Sequence, residues 1–190
     1  MNKKDLICKR RIRNCIHFKE ELAMYHTIEE FLNEWSREAN LTQQVLDQLT
    51  DESLTLKATP EYRTLGSLAW HIVTSLHEML SRTGLNFVAA EHEALVPAAA
   101  KEIADSYRSA SENMITAMKE QWSDQSLDEI DDMYGDKWPK RLTLTVVNSH
   151  QIHHRGQLTV LMRLAGLRVP GVYGPSREEW AEAGMEAPQI

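Results

Sequence analysis

Apolar residues recur at helical spacing along four long stretches of the chain, separated by segments rich in polar residues, glycine and proline. The first stretch runs through Ile28, Phe31, Leu32, Trp35, Ala39, Val45, Leu46 and Leu49. It predicts one amphipathic helix of about twenty residues. Pro60 interrupts the pattern, so residues 55–63 read as a loop. A second helix is predicted from Leu65 to Arg82, with Thr64 as its N-cap and Gly84 as its stop. After a loop over residues 86–96, Pro97 is placed in the first turn of a third helix. Along it Ile103, Tyr107, Ala110, Met114, Met118 and Trp122 recur. Residues 123–141 are acidic and broken by Gly135 and Pro139, which predicts a loop or short turns. A fourth helix is predicted from Leu142 to Leu164, closed by Gly166 and Pro170. Ser176 and Glu179 then form the capping box of a short last helix through Trp180. Four amphipathic helices bury their stripes best against one another. The expected fold is all-α, a four-helix bundle with a short C-terminal helix.

Composition narrows the class without changing that picture. The chain has 190 residues, 42% of them apolar and 26% charged, values of a globular domain with a sizeable core. No run approaches the length of a membrane span, and a soluble, cytoplasmic protein is expected. The first 23 residues are different in kind. They hold seven of the 21 basic residues but only three of the 28 acidic ones, so the part from Met24 onward carries 14 basic against 25 acidic residues, a net of −11. Lys19-Glu20-Glu21 implies purine-rich codons just ahead of Met24, where a bacterial ribosome-binding site sits. Met24 is therefore expected to be the natural start, with residues 1–23 a basic, translated leader that is not native and residues 24–190 the domain. The alternative, a basic arm for nucleic acid, would be electrostatically odd on so acidic a body. Both cysteines, Cys8 and Cys15, fall in that leader.

The chemistry concentrates on the fourth helix, which reads His150-Gln-Ile-His153-His154-Arg-Gly-Gln157. His150 and His154 lie one turn apart on one face, with Cβ atoms about 6 Å apart. At 100° per residue, that face also holds Val146, Val147, Gln157, Leu161, Leu164 and Ala165. Both imidazoles are therefore expected to point into the core, with Arg155 and Arg163 outward and Ile152 on the back. Histidines in an apolar stripe need hydrogen bonds or a metal, and one ion can take an Nε2 from successive turns. A third ligand would come from His26, His71, His77, His92 or His153. His71 lies on the polar side of its helix with Ser67, Thr74, Ser75 and Glu78, away from the main stripe. His77-Glu78 is not followed by the second histidine of a zincin motif, and neither a phosphate-binding glycine loop nor a nucleophile elbow is present.

His71 in a Trp-His pair, His150-x-x-x-His154-Arg-Gly-Gln157, Arg163-x-x-Gly166 and Pro170-x-x-Tyr173-Gly together resemble the DinB/YfiT-like superfamily, over roughly Tyr25 to Arg177. The resemblance implies a four-helix bundle, a homodimer, and a divalent metal held by His71, His150 and His154. Zinc or nickel suits such a set; iron, cobalt and manganese also fit. Characterised relatives include metal-dependent transferases of low-molecular-weight thiols and a thiol-dependent isomerase. The expected partner is accordingly a small molecule, a thiol or water activated at the ion. The alternatives are a metal-dependent hydrolase and a non-enzymatic metal-binding stress protein. Gln157 and Glu78 are candidates for contacts around the ligands or to substrate, and Tyr173 for closing one end of the bundle. No nucleic-acid partner is expected, because an acidic domain has no basic face to displace counterions. A gel-shift with a chain beginning at Met24 should show no tight, salt-sensitive binding to duplex DNA.

Overall fold

A computed structural model describes residues 25–189 of the chain. The expected leader, residues 1–23, lies outside the described residues. Four long helices make up about half of the described residues: α1 (Ile28–Leu46), α2 (Leu65–Leu80), α3 (Ala100–Gln121) and α4 (Lys140–Leu164). A short α5 (Arg177–Glu182) follows them. α1 packs against α3 and α4, and α2 packs against the same two. The shared core is lined by Phe31, Trp35, Leu65, Ile72, Met114 and Leu158, all fully buried. Among the described residues no helix is long and apolar enough to cross a membrane.

The start signals read from the sequence on α2 and α5 are in place, and α1 has one that was not read there. Thr27 and Glu30 close a capping box on α1, Thr64 accepts from the Ser67 amide on α2, and Ser176 with Glu179 caps α5. Two starts are completed from a distance. The Ile28 amide donates to Asp124 at 2.9 Å, and the Ala100 amide donates to Asp51 at 2.7 Å. Each aspartate opens a short 3-10 helix, Asp51–Thr55 or Asp124–Asp128. The Asp51 contact explains why α3 begins at Ala100 and leaves Pro97 outside it.

The described residues are mostly helical, as expected, but not wholly so. Residues predicted as loop hold a two-stranded antiparallel hairpin, β1 (Ile130–Met133) and β2 (Asp136–Pro139). Its two-residue turn, Tyr134 at φ 60° and Gly135 at φ 87°, has the left-handed geometry that favours tight hairpins. Met133 and Trp138 pack on Leu142 as a small cluster beside the main core.

α4 is rotated about its axis relative to the expected face. Its buried line is Leu144, Val147, Gln151, Arg155, Leu158 and Met162. That is about one residue, or roughly 100°, around from the line through His150 and His154. The histidines are therefore half-buried on the flank, and Leu164 is exposed. Arg155, expected to point outward, is only 1% exposed. Its guanidinium donates to the Glu38 carboxylate at 2.6 Å, the Glu38 carbonyl at 2.9 Å and the Thr42 hydroxyl at 3.1 Å. Tyr173, from the segment between α4 and α5, adds its hydroxyl at 2.7 Å to both charged groups. It thus seals the ion pair from solvent. Arg163 does point outward, to Glu178, and Ile152 is half-buried rather than exposed.

Removing one partner of such a pair leaves a buried charge without compensation. Glu38→Ala should destabilise the fold by about 3–5 kcal/mol in denaturant unfolding. Replacing Arg155 and Glu38 together with apolar residues should recover much of that loss. Tyr173→Phe should cost about 1 kcal/mol.

Candidate metal centre

α2 and α4 bring three histidines together. Gln151, on the buried face of α4, donates to the Ile72 carbonyl at 2.9 Å and to the Ser75 hydroxyl at 3.2 Å. That bond fixes the register of the two helices one residue away from both His71 and His150. Ring centroids then lie 5.1 Å apart for His71–His150, 4.7 Å for His71–His154 and 4.3 Å for His150–His154. One nitrogen from each ring falls within 4.8 Å of the other two. The helix-face objection to His71 disappears because α2 is buried on both sides: Thr74 and Ser75, on the polar side with it, are also buried.

The donor set fits a divalent ion. The Nε2 atoms of His150 and His154 are 3.1 Å apart. Two nitrogens bound to one tetrahedral zinc at about 2.0–2.1 Å would be separated by about 3.3 Å. His154 Nδ1 donates to the Gln157 side-chain oxygen at 2.8 Å, which leaves Nε2 as the lone-pair nitrogen facing its neighbours. His150 Nδ1 is buried without a hydrogen-bond partner.

Electrostatics keep the cluster neutral. Burial pushes His71 down to about 3, helped by the Arg63 charge and the other histidines. Burial pushes His150 down to about 4, with His154 and His153 adding to the effect and Glu78 opposing it. His154 is lowered by burial against the opposing Gln157 bond. Neutral imidazole is the form that binds metal. The remaining candidates do not join the cluster. His26, His92 and His153 are exposed, and His77 packs its ring on Phe87 at 5.6 Å.

Glu78 lies one turn beyond Ser75 on α2. Its carboxylate accepts from the Tyr134 hydroxyl at 2.6 Å and pairs with Arg82 at 2.8 Å. Arg82 also lies over the Tyr134 ring, 4.6 Å from its centroid. Among the residues that sequence reasoning missed, Gln151 and Arg155 matter most for this geometry. Their signal was their spacing, four apart and in line with Val147 and Leu158.

The sequence model described as the DinB family matches residues 24–188. This chain belongs to the DinB family. The chain is also similar to the uncharacterized protein YrdA of Bacillus subtilis, 47% identical over 167 residues, which span 88% of this chain and all of that one. A crystal structure of a DinB-like protein from Bacillus cereus is 49% identical, with a TM-score of 0.77 over 79% of this chain and all of that chain. The DinB-like protein YjoA of Bacillus subtilis shares the fold at 21% identity, with a TM-score of 0.59 over 75% of this chain and 97% of its own.

The depressed histidine values set a pH dependence in the metal-free protein. The unfolded chain takes up protons at the ordinary histidine value of about 6.5, whereas folded His71 and His150 resist protonation down to about 3 and 4. Between those limits the unfolded state binds more protons, so stability falls as pH drops from about 6.5 towards 4. Denaturant unfolding across that range should show a shallower decline in the His71→Ala/His150→Ala variant.

Proposed function

We propose that this DinB-family chain is a metal-dependent enzyme in which His71, His150 and His154 hold one divalent ion and a low-molecular-weight thiol is the activated substrate, as in an S-transferase. The observation that carries the metal reading is the convergence of the three rings, with Gln157 orienting His154. When bound, a divalent ion with three neutral imidazoles keeps its full charge and acidifies a thiol or water beside it. Zinc or nickel suits the ligand set best.

The chain's own residues prepare that position. Burial holds the imidazoles neutral at pH 7. Gln151 sets the register of α2 on α4, and the Arg155–Glu38 pair sets the rotation of α4. The thiol preference rests on the family resemblance, and a site that used water in its place would be a hydrolase. The same reading takes α1–α4 as a four-helix bundle in a cytoplasmic homodimer. Val160 and Leu164, 61% and 60% exposed on the outer side of α4, support the dimer. Sedimentation at micromolar concentration should give a dimer, and monomer alone would overturn that part.

The decisive measurement is elemental analysis of protein purified without an affinity tag, expected to give one divalent ion per chain. His154→Ala should lose most of it, while His153→Ala and His77→Ala should retain it. Metal-free protein that takes up no added zinc would overturn the reading. With cobalt in the site, thiols should produce a sulfur-to-cobalt absorption band that matching alcohols do not.

A further inference from the structure

The charges around the three histidines are unbalanced in one direction. Glu78 is the carboxylate whose charge bears on the cluster, acting on His150, and it is already held by Arg82 and Tyr134. Arg63 has no such counterpart. Among the described residues every other arginine except Arg177 sits within ion-pairing distance of a carboxylate, in a chain of net charge −7. Even Glu61, two positions away, takes its hydrogen bond from Thr59 instead.

The backbone puts Arg63 at one end of the site. It directly precedes Thr64, the N-cap of α2. Thr64 and His71 are seven positions apart, which places them on one side of the helix, two turns from each other. Glu78 lies a further two turns along the same side. The histidines thus stand between a neutralised carboxylate at one end and an exposed, uncompensated guanidinium at the other. The Arg63 charge reaches all three imidazoles.

We propose that Arg63 is a specificity-determining residue that binds a carboxylate of the substrate while the substrate's reacting end lies at the three histidines. The proposal rests on the metal-site reading above and narrows the ligand to an anionic small molecule. A guanidinium suits this task because its planar fork matches a carboxylate in two parallel hydrogen bonds. Three neutral ligands add no negative charge to oppose the approach of an anion.

The test uses the zinc-loaded full chain and three probes: 3-mercaptopropionate, the matching neutral 3-mercaptopropanol, and propionate, which lacks the sulfur. Affinities are read by calorimetry at low and high salt. Arg63→Gln should weaken both acids by about tenfold and leave the neutral thiol within about twofold. Arg63→Lys should restore part of the loss, because the charge returns without the fork. Arg177→Gln, the other unpaired arginine, should change nothing. The wild-type preference for the acids should shrink as salt rises. Equal affinities of wild type and Arg63→Gln for both acids would overturn the proposal. Retained zinc with no advantage of 3-mercaptopropionate over propionate would instead overturn the thiol reading, with the role of Arg63 still read from propionate. Zinc that fails to bind at all would overturn the metal site itself.

Discussion

Arg155 holds its guanidinium between α4 and α1, where the Glu38 carboxylate, the Glu38 carbonyl, Thr42 and the Tyr173 hydroxyl take its hydrogens. Water does not reach this charge, so turning α4 about its axis would strand it at a cost of several kcal/mol. Gln151, one turn earlier, adds the register against α2. With Gln151 and Arg155 directed inward, the residues just before them, His150 and His154, come to the flank that faces His71. The position of the three-histidine cluster follows from two polar side chains that touch none of its nitrogens in any hydrogen bond.

That dependence explains what could and could not be read from the sequence. α1 and α2 were legible because large apolar residues dominate their stripes, Phe31, Leu32 and Trp35 on α1 and Leu65, Leu68, Ile72 and Leu76 on α2, and because Thr64 caps α2 locally. The face of α4 was not. Its buried line places a glutamine and an arginine at the centre of a stripe, so a hydropathy pattern slides to the neighbouring line, where Leu161 and Val147 make the histidine face look apolar. The hairpin escaped for another reason. Its strands are only four residues each, one with two adjacent aspartates and the other ending in proline, and its turn is Tyr134-Gly135, not the Asn-Gly pair that announces such turns. Tyr134 adopts the left-handed conformation while its hydroxyl is bonded to Glu78, a contact made across 56 residues. His71 was legible by resemblance alone; what buries its side of α2 is α4, which no single-helix wheel contains.

The site's electrostatics run against the chain as a whole. An acidic protein has assembled three imidazoles in a place where burial keeps them uncharged and where the adjacent carboxylate is already satisfied by an arginine and a tyrosine. Neutral ligands let a bound divalent ion keep its charge, and the surrounding groups do little to offset it. On the proposed reading, the bound ion and Arg63 would give the cluster a local field opposite in sign to the chain's net charge, the arrangement by which an acidic molecule can admit an anion at one spot.

The two aspartates that close helix starts from afar stitch distant stretches of the chain together. Asp51 reaches forward 49 residues to the first amide of α3. Asp124 reaches back 96 residues to the first amide of α1. Each short 3-10 helix thus acts as a clasp, so a substitution at Asp51 or Asp124 is felt at the start of a helix that lies far from it in sequence.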